Sequence, residues 1–449
     1  MPIAETDNHR TIRAFYDFAS ENLYLNRPDL EIEGEKFNST LLFSLLTALM
    51  GGKELIIGEP GLGKTTSAEY VCALLYRIPL GVLWGSEVAG HPEQTEEKIV
   101  GRPDLGKLNR GEEEVVWSNF VQLPVKIVDE INRLPETKQS LILDGVDRGN
   151  WEYLSHLLLH DEYCFFATAN YQDPGAVTLI PPLLDRFDVT VESKHPGANL
   201  SFLIGQQERK DDLLRDPECE RDLYAVLLDK VALADKGPRL EEACRHFAGL
   251  LRERHNLVTL DREERQALRA EIGRVEFSLE ASAFVRTTLA EISFCCMYGQ
   301  RRSNEECPEG CHYTGYLCYQ VRNCASNRLP TSLRKYAQAL AWLLKSGRVE
   351  AEHVRRVLPF ALAHRTQWRD AYVSARERGA RRDPLQIHLA KQAVSEIWQR
   401  FAEQREEIMT ALARAASILA GADLKPLEGD HPVYAEIKRD LGVYESMSL

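Results

Sequence analysis

The 449-residue sequence has no basic excess. Its 55 lysines and arginines face 68 aspartates and glutamates, a formal charge of −13. A cationic surface over the whole chain, of the kind that binds nucleic acid non-specifically, is thereby excluded; a local basic pore is not. Long hydrophobic runs are also missing. The strongly apolar stretches, such as residues 41–50, fall well short of the ~20 residues that a membrane-crossing helix needs. Residues 1–10 carry acids and no apolar segment of the kind a secretory signal requires, so the expected location is the cytoplasm. There is no internal repeat and no low-complexity segment. In a reducing compartment a disulfide framework for the ten cysteines is not expected. The composition itself, 44% hydrophobic and 27% charged, is that of a folded globular chain. At ~100–200 residues per domain it provides for two to four domains.

The order of patterns gives the fold class. A helical run at 37–50 is stopped by Gly51-Gly52. A β-type run at 54–57 follows, then Gly58-Glu59-Pro60-Gly61-Leu62-Gly63-Lys64-Thr65-Thr66, then a helix at 67–76. Further strand-like runs at 81–84, 125–128, 163–167 and 189–192 alternate with helical stretches, which predicts an α/β fold with a parallel sheet. After Pro196 the strand signals end. Residues 200–290 read as helical, helices resume at 331–346 and 350–364, and an amphipathic run follows Pro384 as far as Gly421. Its apolar positions are Ala390, Val394, Ile397, Phe401, Ile408, Leu412, Ala415 and Leu419. As a helix it would be ~50 Å long. It is expected to pair within 385–449 or to pack on the helices before it.

Two motifs carry chemistry. In Gly58-x-x-x-x-Gly63-Lys64-Thr65 the glycines let the backbone wrap a phosphate, and the following helix N-terminus presents N–H groups to the anion. Lys64 would reach the β- and γ-phosphates, and the Thr65 hydroxyl would hold Mg2+. In Val125-Lys126-Ile127-Val128-Asp129-Glu130 a buried strand ends in two adjacent acids. Side chains alternate along a strand, so the two carboxylates point differently and divide the work. Asp129 would serve Mg2+, and Glu130 would act as general base on the attacking water.

The motifs, taken in order, resemble the AAA+ ATPases and, within them, the MoxR branch. The pieces that carry the resemblance are Asp129-Glu130-Ile131-Asn132-Arg133, Ala167-Thr168-Ala169-Asn170, Leu184-Asp185-Arg186-Phe187, Ser332-Leu333-Arg334, Gly347-Arg348 and His364-Arg365. It spans roughly residues 38–199 and 285–365. Departures are the length of 200–284, the cysteine cluster, and Asp173-Pro174-Gly175 after the asparagine. The resemblance implies an AAA+ αβα core with a parallel sheet over 37–199, after a helical extension over 1–36. The residue pattern adds a helical connector at 200–290 and a helical C-terminal extension at 366–449; the resemblance places a helical lid at 291–365. It implies Asn170 as a first sensor orienting the lytic water, Arg334 as a second sensor on the lid, and Arg186 as an arginine finger, with Arg133 a second candidate for contact in trans. A finger acting in trans implies a homo-oligomeric ring, most simply a hexamer, using ATP and Mg2+. The MoxR resemblance also suggests a protein client, such as a von Willebrand factor A domain protein. Residues 90–123 would hold an insertion with a hairpin turn at Asn109-Arg110-Gly111, facing the pore or a partner. The function implied is remodelling or activation of a partner protein. Alternatives are a nucleotide-gated assembly scaffold with slow turnover, or a DNA-associated ATPase resembling the McrB or MCM branches. The net charge counts against the last.

Six of the ten cysteines lie between Cys295 and Cys324. Cys307, Cys311, Cys318 and Cys324 offer four sulfurs at spacings that suit tetrahedral zinc, although no pair is C-x-x-C. His312, Cys295 or Cys296 could substitute; the alternative is a set of buried, inert thiols. Arg365, Arg369, Arg376, Arg378, Arg381 and Arg382 form a local basic stretch, either a solvated face or a contact for nucleic acid or an acidic partner.

Overall fold

A computed structural model describes residues 5–160, 162–170, 179–207, 210–229, 233–293, 313–377 and 384–447. The chain divides into two compact units, residues 3–274 and 275–449.

In the first unit, helix α1 (Asp7–Phe18) opens on a reciprocal cap between Thr6 and His9 and runs into a π-helical turn, Ala19–Leu23. Helix α2 (Ser39–Met50) starts where the Asn38 side chain accepts from the Leu41 N–H and ends at Gly51 in the left-handed region. Strand β1 (Lys53–Ile57) then leads through the glycine loop into α3 (Lys64–Tyr76). Next come β2 (Val88–Ala89), β3 (Val125–Asp129), α4 (Glu136–Arg148), β4 (Cys164–Ala169) and β5 (Val189–Glu192). The five strands form one parallel sheet in the order β5–β1–β4–β3–β2. β4 lies at its centre with all six residues buried, which is why Cys164-Phe165-Phe166-Ala167 is a continuous apolar run.

Residues 81–84 are not a strand. They belong to a short helix, Leu80–Trp84, with Pro79 at its cap and the Gly85 N–H bonded to the Gly81 carbonyl. A four-residue apolar run carries no periodicity that separates a strand from a buried helical turn. The insertion is a small hairpin in which Gly101–Pro103 pairs with Val115–Trp117; Gly111 turns the chain with φ +79°. A second hairpin, Asn150–Tyr153 with His156–Leu159, precedes β4.

Residues up to 274 are part of this same unit, and arginine chemistry docks them. Helices α5 (Pro217–Leu228), α6 (Leu233–His255) and α7 (Arg262–Gly273) follow β5. One face of α7 carries Arg262, Arg265 and Arg269 to the buried Glu162 carboxylate, at 4.0, 3.1 and 3.0 Å. Arg269 also donates to the Leu49 and Ala48 carbonyls, closing the C-terminus of α2. A second buried cation, Lys126 on β3, donates to the carbonyls of Phe120, Val121 and Leu123 and so caps the short helix Asn119–Gln122.

The second unit is helical: α8 (Leu279–Ser293), α9 (Arg328–Leu343), α10 (Ala351–Leu362), α11 (Leu385–Leu419) and α12 (Pro432–Met447). The long helix expected after Pro384 is α11, 35 residues packed on α8, α10 and α12. Ala390, Val394, Ile397, Phe401, Ile408 and Ala415 are buried along its inner stripe, whereas Leu419 stands exposed. Phe284 of α8 meets Trp398 and Phe401 of α11 at ring-centroid distances of 5.1 and 5.2 Å.

A polar knot built on the buried Glu291 and His431 ties α8 to α11 and to the turn before α12. Val433 N–H donates to Nδ1 of His431, so the other ring nitrogen carries the proton and donates to Glu291 at 3.1 Å. Arg400 forks onto the same carboxylate, which also accepts from the Leu317 N–H. Burial alone would push Glu291 up. The His431 and Arg400 hydrogen bonds and the Arg400 charge outweigh it and hold the group below the usual glutamate range. Its folded value is therefore lower than its unfolded value of ~4.3, so its stabilisation is complete above that pH and is lost as the pH falls through the folded value. Glu291→Gln is expected to flatten the acid limb of the stability–pH curve, measured by denaturant unfolding between about pH 6 and 3. An unchanged acid slope in that variant would show that Glu291 is not the linked group.

Candidate nucleotide site

Because all five strands run the same way, their C-terminal ends share one edge of the sheet. Gly58 follows β1, Glu130 follows β3, Asn170 follows β4 and Ser193 follows β5. Ligand crevices in open α/β sheets lie outside this edge.

The loop Gly58–Thr66 lies there, between β1 and α3. Gly61 and Gly63 take φ of +77° and +72°, which a residue with a side chain adopts only under strain. Gly63 is the cap of α3, so Lys64, Thr65 and Thr66 form that helix's first turn with their N–H groups unused by the helix. Leu62 lies between the two glycines, while Glu59 and Pro60 form the loop's outer rim. Lys64 is 7% exposed. Its ammonium donates to the carbonyls of Gly58 and Glu59 at 3.2 and 2.9 Å and to Asn170 Oδ1 at 2.5 Å. Burial lowers its pKa, and the charges of Asp129 and Glu130 oppose that fall.

The two acids do divide, but not by strand alternation, because β3 ends at Asp129 and Glu130 lies past it. Asp129 Oδ1 accepts from the Thr65 hydroxyl at 2.9 Å and from Thr168 at 2.5 Å. Glu130 turns the other way, with φ +51°, its N–H held by Thr168 Oγ1 at 2.9 Å. Its carboxylate accepts from Asn170 Nδ2 at 2.8 Å and pairs with Arg133 at 2.7 Å. Lys64, Thr65, Asp129, Glu130 and Asn170 are thus brought together. A hydroxyl beside a carboxylate is an all-oxygen donor set, the kind that fits Mg2+.

Two other arginines were expected at the site. Arg186 lies just before β5, donating to the Pro182 carbonyl at 2.9 Å, with Nε 3.4 Å from Asp147 at the end of α4. Arg334 is exposed on α9 of the second unit. Cys307 and Cys311 lie outside the described residues, as do His312, Cys295, Cys296 and Asp173-Pro174-Gly175. Cys318 donates to the Tyr313 carbonyl, and Cys324 is partly buried. Among the described residues no group of three or more His, Cys, Asp or Glu is placed to hold a metal, and zinc is unsupported.

Sequence reasoning gave no role to Thr168, whose hydroxyl holds both halves of the acidic pair. The signal was present: it is the one polar residue in the buried run before Asn170. It also gave no role to Asn132, which donates to the Asn170 carbonyl at 2.9 Å and ties the Asn170 turn to the acids.

A family model described as an AAA lid domain matches residues 322–385. No curated protein matches the sequence. Among solved structures, a candidate ATPase from Cytophaga hutchinsonii is similar over 87% of this chain and 94% of its own, with a TM-score of 0.56 and 16% identity. That likeness concerns the fold alone. The parallel five-stranded sheet, the lid and the added C-terminal helices are those of an AAA+ α/β core with a helical lid. Fold and lid together support an AAA+ ATPase.

Proposed function

We propose that the protein is a MoxR-like AAA+ ATPase that hydrolyses ATP at the subunit interfaces of a homo-oligomeric ring, a hexamer, and uses the cycle to remodel or activate a protein partner. One observation carries this reading: the unbroken polar chain Lys64–Asn170–Glu130–Arg133, beside the Thr65–Asp129 pair. It sets a phosphate-gripping cation next to a carboxylate held ready to take a proton from water. Lys64 would exchange the loop carbonyls for the triphosphate. Glu130 would accept the proton of the attacking water, and Asn170 would hold Glu130 and that water in register. Thr65 and Asp129 would hold Mg2+, which would supply charge neutralisation at the phosphates. Arg186 and Arg334 would complete the site as finger and second sensor.

A protein client is favoured by the insertion, which exposes Leu105 at 67% and Leu108 at 44%. The resemblance suggests a von Willebrand factor A domain protein. No helix among the described residues is long and apolar enough to cross a membrane, and we place the protein in the cytoplasm. The test is phosphate release from ATP with and without Mg2+, alongside the assembly state in ATP. Mg2+-dependent release by an ATP-assembled oligomer is expected. ATP-dependent assembly with very slow release would favour the scaffold, and stimulation by DNA would favour the McrB-like alternative.

A further inference from the structure

The phosphate loop is held from outside by a segment that no motif predicts. After the π-helical turn, Tyr24 is buried with its ring against the loop: a Cβ added at Gly63 would stand 3.3 Å from Tyr24 Cε2. Its hydroxyl lies 2.8 Å from Ser193 Oγ, and Ser193, just past β5, lies with its Oγ 2.6 Å from the Leu62 carbonyl. The direction of the two bonds is fixed. A carbonyl only accepts, so Ser193 donates to Leu62 and accepts from the Tyr24 hydroxyl. Burial pushes the Tyr24 phenol up, so it keeps the proton it donates. Neighbouring contacts fasten the same segment: Asn26 donates to the Lys194 carbonyl at 2.9 Å, and Lys210 donates to the Leu23 carbonyl at 3.0 Å.

Leu62 is the residue whose orientation matters. In a trans peptide the carbonyl and the following N–H point in opposite directions. Pinning the Leu62 oxygen to Ser193 therefore turns the Gly63 N–H away from Ser193. Without that pin the peptide between two left-handed glycines is free to rotate, and a carbonyl swung inward would face the phosphate and repel it.

We propose that Tyr24 and Ser193 are positioning residues for phosphate binding: the relay Tyr24–Ser193–Leu62 holds the loop in its anion-receiving shape and makes nucleotide affinity depend on the N-terminal segment. The inference rests on the phosphate-binding reading of the loop. Its test is ADP binding with Mg2+ by calorimetry on the full chain. Ser193→Ala is expected to weaken ADP about tenfold, the scale of one hydrogen bond to a charged group. Tyr24→Phe, which keeps the ring against Gly63, is expected to weaken it about threefold. The double variant should bind no more weakly than Ser193→Ala alone, because Tyr24 acts through Ser193. Lowered melting temperatures with unchanged ADP affinity would overturn the proposal, as would additive losses in the double variant. Lys64→Ala separates the two readings. If it binds ADP as well as the unaltered chain, the phosphate site itself is wrong; if it abolishes binding while Ser193→Ala does not weaken it, only the relay falls.

Discussion

Glu130→Gln is expected to abolish ATP turnover while leaving ATP bound. The amide has the shape of the carboxylate and keeps an oxygen to accept from Asn170 Nδ2, the 2.8 Å contact that anchors this side chain. The backbone of residue 130, held at φ +51° by Thr168, is untouched. What is lost is basicity: a carboxamide cannot take the proton of the attacking water, and general-base catalysis is worth ~10²–10⁴ in rate. Binding should survive because the contacts proposed to hold the triphosphate, the loop N–H groups and Lys64, do not pass through the Glu130 carboxylate. Removing one anion beside Lys64 withdraws some support for its charge, which burial already opposes, but Asp129 remains on the same side of the balance. Phosphate release and ATP affinity measured on the same preparation decide it. Turnover near normal would remove Glu130 from the role of base, and loss of binding would make it part of the phosphate grip instead.

The residues of this prediction were legible in the sequence because each motif is local. A glycine loop between a strand and a helix, and two acids at the end of an apolar run, declare themselves within ten residues. Asn170 was legible through resemblance, and the structure joins it to both motifs across 106 and 40 positions of chain. Contacts that belong to no motif were not legible. Ser193 meets Leu62 across 131 positions, and Tyr24 meets Ser193 across 169; neither residue type is unusual where it stands. The clasp of α7 on Glu162 joins residues 103 apart, so the helical run after β5 showed its periodicity but not where it docks. The misreading of 81–84 has another cause. Its apolar residues are too few to show a period, and Pro79, which caps a helix here, serves equally well before a strand. Thiols tell the same story: Cys72 and Cys164, far apart in sequence, lie with their sulfurs 4.0 Å apart in the core.

Arg186→Ala is expected to lower turnover by ~10³ or more, the scale on which arginine fingers act, while ADP binding by the same chain persists. On the proposed finger reading the effect arrives from a neighbour, and the sheet gives that reading its physical reason. Lys53 at the start of β1 donates to Asp188, and the Asp188 N–H donates to the Lys53 carbonyl, so the chain enters β5 beside the N-terminal end of β1. Gly58 is at the other end. The strand between them spans roughly 15 Å at ~3.3 Å per residue, beyond the reach of a side chain held by Pro182 and Asp147. Arg186 thus stands about one strand length from its own glycine loop, and the proposed finger would serve the triphosphate of a copy packed against this edge of the sheet. The mixing experiment follows directly. Arg186→Ala chains and Lys64→Ala chains are each expected to be inactive alone. Together they should recover part of the activity, because a chain with an intact Lys64 then meets a neighbour with an intact Arg186. No recovery on mixing, with both variants folded and assembled, would break the finger assignment. Full activity of Arg186→Ala would break it more simply, and a chain that turns over ATP as a monomer at saturating nucleotide would leave the guanidinium with its structural contacts to Pro182 and Asp147.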